Sequence, residues 1–328
     1  MLTISTDPLL KIANNASFLS ERLNKNLNSQ NNILEKSEQD LIDRPIINWS
    51  KLVGGQEKLE KFLHWYGLDL NSVRSFIKTD FLTEFSLPSW IETLKALVQS
   101  SKNILIELQE NQDLPIDSKN PLPFEDFYIP FILVARSKLN AQLSSNYLSR
   151  LFSREAYQAL EKNLLQQLVN LETETLLLEF NKVKEQYDFQ EKGDLKIDEG
   201  KALYTSFIQN LQKDGGIEFF ENYSVLARLI ATTIDLWVES STEFIQRLQT
   251  DLSAIESTFS DRESLGKVKS IDTSLSNPHH GKRLVLILTF ASGVKVVYKP
   301  KDLSLYVAFN QLLDWCNQQK TSLPFKLV

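Results

Sequence analysis

Cysteine is almost absent from this chain: Cys316 stands alone among 328 residues. A single thiol excludes an intramolecular disulfide and any structural zinc site built on several cysteines. Histidine is nearly as scarce, at three, and two of the three are adjacent, His279 and His280. Glycine and proline number only 10 each, so few positions punctuate the chain and long uninterrupted helices are the expected building block. The amino terminus, Met1-Leu2-Thr3-Ile4-Ser5-Thr6-Asp7, has no basic segment leading into an apolar one. No stretch approaches the ~18 consecutive apolar residues of a membrane span, so a cytoplasmic protein without one is expected. With 42% apolar residues a large core can be buried, and the length allows two or three domains.

Charge changes sign along the chain. Residues 261–328 hold ten Lys or Arg against five Asp or Glu, a net of +5, so the first 260 carry −11 of the total −6. The acidic part argues against a nucleic-acid partner, whereas the basic part suits a polyanion such as ATP.

The first 260 residues read as helices. Residues 1–45 are helical in pattern but polar, with the Asn-rich segment Asn24–Asn32 breaking them into two. Gln56–Tyr66 predicts a short helix closed by Gly67, with His64 as a partly buried structural residue. Pro88 opens a helix to about Glu110, with Trp90, Leu94 and Leu97 on its apolar side. Residues 111–120 read as loop. From Phe131 to Lys192 there is neither glycine nor proline, Leu160, Leu164, Leu168 and Leu171 recur at helical spacing, and Ser153 marks a start. Ile217–Leu265 is a second such stretch, with Ile230, Ile234, Trp237, Phe244, Leu248, Leu252, Ile255 and Phe259 on one face. A stripe of that kind is core packing and carries no chemistry.

The chemistry concentrates between Asn277 and Pro300. Leu284–Phe290 is an apolar run of strand length, Val294–Tyr298 is another, and Ala291-Ser292-Gly293 between them suits a three-residue hairpin with glycine at the positive-φ position. Strand alternation puts Lys295, Val297 and Lys299 on one face and Val296 and Tyr298 on the other. The arrangement loosely matches the kinase strand whose lysine reaches the nucleotide phosphates and whose small apolar residue two positions earlier lies against adenine. In that template Val297 meets the base and Lys299 the phosphates. The turn Asn277-Pro278-His279-His280-Gly281 occupies the place of a kinase phosphate loop, but one glycine cannot form the backbone cradle of that loop. On residues alone, a solvated surface suits the two histidines as well as a site does, and an amphipathic edge strand suits Lys295 and Lys299.

Together these residues carry a resemblance. Ser276-Asn277-Pro278-His279, Gly281, the strand Leu284–Phe290, Ala291-Ser292-Gly293 and Val297-Tyr298-Lys299-Pro300-Lys301 resemble the core of the dehydratase domain of class II lanthipeptide synthetases, the LanM family. Upstream, Tyr223-Ser224-Val225-Leu226-Ala227-Arg228-Leu229, Trp237, Glu243-Phe244-Ile245-Gln246-Arg247-Leu248 and Asp251 are similar to that family's pattern. So are Leu122-Pro123-Phe124-Glu125 with Ala135-Arg136 before them, and Phe309–Asn317 after the lysine strand. The resemblance implies an enzyme that uses ATP and Mg2+ to phosphorylate Ser and Thr of a precursor peptide and then eliminates phosphate to leave dehydro amino acids. It matches Lys299 to the family lysine and His279 to the histidine 20 residues before it. Asn277 stands where the family has an acid, which bears on the elimination step. The family's zinc-binding cyclase needs several cysteines, so that half is expected to be absent.

The expected architecture is mainly α with a small antiparallel β-sheet near the C-terminus. It comprises a helical region over residues 1–260 and, over 261–328, an incomplete kinase-like N-lobe. That N-lobe consists of strands over 268–275, 284–290 and 294–298 and a helix over 303–318. A kinase-type site needs a catalytic carboxylate, an asparagine and a metal-binding aspartate from a following lobe. The chain alone is therefore expected to be inert, with Mg2+ ligands and a cyclase on a separate chain. The alternative is a non-catalytic helical module that binds a peptide or partner, or a decayed remnant.

Overall fold

In the computed structural model of the chain, the described residues are 6–18, 21–22, 36–78, 87–107, 114–117, 119–143, 147–191, 197–260, 263–275, 280–319 and 324–325. Asn24–Asn32 lies outside them. The architecture is mainly helical with one three-stranded antiparallel sheet near the C-terminus. The helices are α1 (Thr6–Asn15), α2 (Lys36–Val53), α3 (Gln56–Trp65), α4 (Leu70–Lys78), α5 (Trp90–Glu107), α6 (Glu125–Gln142), α7 (Tyr147–Leu151), α8 (Arg154–Glu191), α9 (Ile197–Gln212), α10 (Ile217–Asn222) and α11 (Ser224–Phe259). The strands β1 (Val268–Asp272), β2 (Leu286–Phe290) and β3 (Lys295–Tyr298) follow, and then α12 (Ser304–Gln318). The chain divides into two compact units, one of residues 1–111 and 170–232, the other of residues 112–169 and 233–328. The unit that holds the sheet thus also takes in α6 and the first part of α8.

In the first unit, α2, α3 and α4 bury Ile46, Leu59, Leu63 and Val73 against Trp49 and Phe62. His64 is exposed, contrary to expectation. With Leu59 and Leu63 set inward, a residue one step past Leu63 is turned about 100° off that face. The apolar side of α5 is as expected, with Trp90, Leu94 and Leu97 buried. Between α9 and α10, Asp214, Gly215 and Gly216 are all left-handed, with φ 53, 74 and 76. Gly215 lies so close to α5 that a Cβ there would stand 2.1 Å from the Val98 carbonyl oxygen. Arg228, at the start of α11, makes a two-pronged ion pair with Glu21, both contacts 2.7 Å, and lies 3.8 Å over the Phe18 ring.

In the second unit, α6 is buried almost all round, from Phe127 through Ile132 and on to Leu139. A helix of that character belongs inside a core. Its Arg136 donates to both oxygens of Glu161 at 2.7 Å each, and the Glu161 side chain has no exposure. Ser153 starts α8 as expected, its hydroxyl accepting from the Ala156 N–H at 3.1 Å. Along α11, Ile234, Trp237, Phe244 and Leu248 are buried, but the stripe loses cover beyond them and Phe259 is 55% exposed. The long stretch is also broken at Tyr223, which separates α10 from α11. Ser153 N–H donates to the Val268 carbonyl at 2.8 Å, tying the start of α8 to β1.

Candidate functional site

The β2–β3 hairpin forms as its sequence requires. Phe290 and Val294 close it with a 2.9 Å backbone bond, and Gly293 supplies a φ of +89 where a side chain would be strained. β2 is central, paired with β1 by Ile271 opposite Leu288 and Asp272 opposite Ile287, and with β3 by Leu286 opposite Tyr298 and Ile287 opposite Val297. Each strand is shorter than expected at one end, β3 by Val294 alone. β1 stops at Asp272, whose carboxylate turns back to accept from the Ser274 N–H and hydroxyl at 2.9 and 2.6 Å; these bonds hold its pKa below the usual carboxylate value. β2 starts at Leu286, after Arg283 has been drawn to α11.

Alternation sorts the sheet into two faces. Leu286, Leu288 and Phe290 are buried, and Tyr298 stacks on Phe244 with ring centroids 5.0 Å apart. On this inner side Arg283 donates from Nε to Glu243 Oε2 at 2.7 Å and from a terminal nitrogen to Glu239 at 3.3 Å, while Arg247 meets the other Glu243 oxygen at 2.5 Å. Burial pushes the Tyr298 phenol pKa up, with the Arg247 charge opposing. A crevice of about 30 Å3 remains beside Tyr298, Phe244, Asn163 and Lys282. It has room for about one or two waters and none for a nucleotide.

The outer face carries the residues singled out from the sequence. Val297 is 49% exposed, and Lys295 and Lys299 on either side of it are exposed too. The cross-strand pair Ile287–Val297 makes an apolar platform at the centre of that face. Lys299 has no ion-pair partner among the described residues, and its Nζ stands 5.9 Å from the centroid of the Tyr306 ring on α12. Lys301 comes nearer to the same ring, at 5.0 Å, and reaches the Tyr306 hydroxyl at 3.4 Å. Asp302, the carboxylate next along, accepts from the Ser304 N–H at 2.8 Å at the start of α12, which lowers its pKa. Val297 and Lys299 are therefore brought together as expected, whereas His279 and Asn277 lie outside the described residues. Among the described residues no group of three or more His, Cys, Asp or Glu stands together as a metal site.

Sequence reasoning missed Arg283, which joins the turn before β2 to α11, and Tyr306, the ring beside both lysines. Glu243 and Arg247 signalled themselves by their helical spacing of four. An arginine beside Lys282 carries no periodic signal of its partner 40 residues away.

A family model described as a domain of unknown function, DUF4135, matches residues 223–328, which run from Tyr223 through α11, the sheet and α12. No curated protein matches the chain. No helix among the described residues is long and apolar enough to cross a membrane.

Proposed function

We propose that this chain is the front portion of a lanthipeptide dehydratase, and that the sheet with α12 is part of a kinase-like N-lobe whose outer face takes ATP. The observation that carries this reading is the outer face on which Ile287 pairs with Val297, with Lys299 two positions further on, exposed and without an ion-pair partner among the described residues; Asp272, opposite Ile287 on the same face, is committed to Ser274. In this reading the Ile287–Val297 platform lies against the adenine, and Lys299 directs its charge to the phosphates. An apolar platform with an exposed lysine two positions past Val297 suits a nucleotide, whose base is apolar on its face and whose phosphates are anionic. His279 belongs to the phosphate side through the resemblance alone. Mg2+ would neutralise the phosphate charge in such an enzyme, and the described residues include no group of three or more His, Cys, Asp or Glu to hold it. The substrate in this reading is a Ser/Thr-containing precursor peptide, and the carboxylate that positions its hydroxyl belongs to a further lobe.

The test is binding of a fluorescent ATP analogue to the chain complemented with a second lobe. Lys299→Ala should abolish binding and Lys295→Ala should leave it within about twofold, since only the former lies two positions past Val297. Equal affinities for the two variants would remove the assignment.

A further inference from the structure

Lys299 and Lys301 are tied together by the chain between them. The Lys301 N–H donates to the Lys299 carbonyl at 2.9 Å across Pro300, which closes a three-residue turn, and the proline ring already imposes the φ that such a turn needs. Tyr306 is set by the first turn of α12, where its N–H donates to the Leu303 carbonyl at 2.9 Å. Both ammonium groups come to its half-exposed ring, Lys301 Nζ at 5.0 Å and Lys299 Nζ at 5.9 Å from the centroid. Elsewhere exposed lysines find carboxylates, as Lys61 does at Glu57 and Lys182 at Glu179. Neither Lys299 nor Lys301 does so among the described residues, and Asp302, the acid next to Lys301, is committed to the Ser304 N–H at 2.8 Å.

We propose that Lys301 is a second phosphate-binding cation of the nucleotide site, and that Tyr306 is the positioning residue that gathers Lys299 and Lys301 at one place. Two like charges drawn to one ring repel each other, and a chain of phosphates relieves that repulsion by giving each ammonium group an anionic oxygen of its own. A cation–π contact at an exposed site is weak, so the ring holds the lysines in the absence of ligand and yields them to an anion. The closed turn fixes the two lysine backbones in advance, so less order has to be imposed on binding. Two cations beside an acid that is already committed suit a di- or triphosphate better than a single phosphate. The proposal rests on the nucleotide reading for which anion the outer face takes, and it adds to Lys299 two residues that the reading does not use.

The experiment is NMR of the whole chain, isotope-labelled at the lysine ε carbons and titrated with inorganic tripolyphosphate and, separately, with ATP. Before titration the ε-methylene protons of Lys299 and Lys301 should lie upfield of those of Lys295 through the ring current of Tyr306; Tyr306→Leu should remove that shift and Tyr306→Phe should keep it. Tripolyphosphate should move the Lys299 and Lys301 signals saturably. Lys301→Ala should weaken its binding about tenfold, Lys295→Ala less than about twofold, and Tyr306→Leu about threefold, with Tyr306→Phe restoring it. All these side chains are exposed, and circular dichroism checks that the variants fold. Lys301 signals that ignore tripolyphosphate while those of Lys299 respond, or unchanged affinity in Tyr306→Leu, would overturn the proposal and leave the ATP reading standing. ATP that binds no more tightly than tripolyphosphate, with both lysines still responding, would remove the adenine platform and leave the pair of phosphate-binding lysines standing. No response from either lysine would overturn both.

Discussion

Arg283 and Glu243 are joined at 2.7 Å across 40 residues, with their side chains 29% and 24% exposed. The bond fixes the turn before β2 to the middle of α11, and through it the sheet to the helix on which Tyr298 packs.

Breaking that bond should loosen the sheet without unfolding the rest. Arg283→Ala and Glu243→Gln should each destabilise by about 1–2 kcal/mol, the worth of a charged hydrogen bond at this exposure. The double variant should cost less than their sum, because either change alone removes the shared contact. Denaturant melts of the four proteins give the coupling, and additive losses would show that the contact contributes nothing.

Much of this arrangement was legible in the sequence and some was not, for physical reasons. The hairpin was legible because its turn needs glycine at one position and strand alternation needs nothing beyond adjacent residues. The apolar stripe of α11 was legible through Leu248 because burial and period coincide there. Past Leu248 the period continues while burial fades, and period alone cannot tell a packed stripe from an exposed one. The Tyr223 break was hidden because no glycine or proline marks it. His64 misled for a related reason: an aromatic neighbour suggests burial, yet Trp65 itself is 81% exposed. At the candidate site, alternation placed Val297 and Lys299 on one face. The apolar platform needed the register with Ile287, which only strand pairing supplies.

Two glycines should separate conformational strain from close approach. At Gly293, φ is +89 but a Cβ would meet nothing within 4 Å, so Gly293→Ala should cost about 1 kcal/mol. At Gly215, φ is +74 and a Cβ would stand 2.1 Å from the Val98 carbonyl oxygen, so backbone must move. Gly215→Ala should cost about 3 kcal/mol or more. Similar midpoints in denaturant for the two variants would contradict this distinction.

The Arg136–Glu161 pair offers a contrast with the Arg283 bond. Glu161 has no exposure, so removing Arg136 leaves a carboxylate buried without its counter-charge. Arg136→Ala should cost about 3–5 kcal/mol, whereas Arg136→Met with Glu161→Leu should recover most of that loss, since neither charge is then stranded. Thermal unfolding of the single and double variants decides it; a double variant no more stable than the single would refute the argument.

Alkaline pH should destabilise the fold through its tyrosines. Burial raises the pKa of Tyr157, the Glu179 carboxylate raises that of Tyr223, and burial raises that of Tyr298. A raised folded-state value means the unfolded chain releases these protons first. The stability they contribute is therefore full below about pH 10 and lost as pH rises through the folded values. Tyr157→Phe should make the decline above about pH 10 shallower. An unchanged slope in denaturant melts across that range would show that Tyr157 ionises alike in both states.

The last helix sets the solution behaviour of the chain. α12 has no buried residue, and Leu305, Phe309 and Leu312 follow one another along it at 77, 52 and 53% exposed, with Trp315 at 58%. Spacings of four and three put the first three on one stripe, and Val307 and Trp315 extend apolar surface around the helix. Helices apolar on more than one side are normally enclosed, and an exposed stripe of this size drives association in water. Sedimentation velocity over a range of concentrations should therefore show the chain self-associating. Leu305→Glu with Leu312→Glu should shift it toward monomer, because the two charges would have to be buried together at any contact between stripes. These positions support no buried neighbour, so circular dichroism should be unchanged. A chain that stays monomeric at high concentration, or a variant that associates as strongly as its parent, would show that the α12 surface is not what brings copies together.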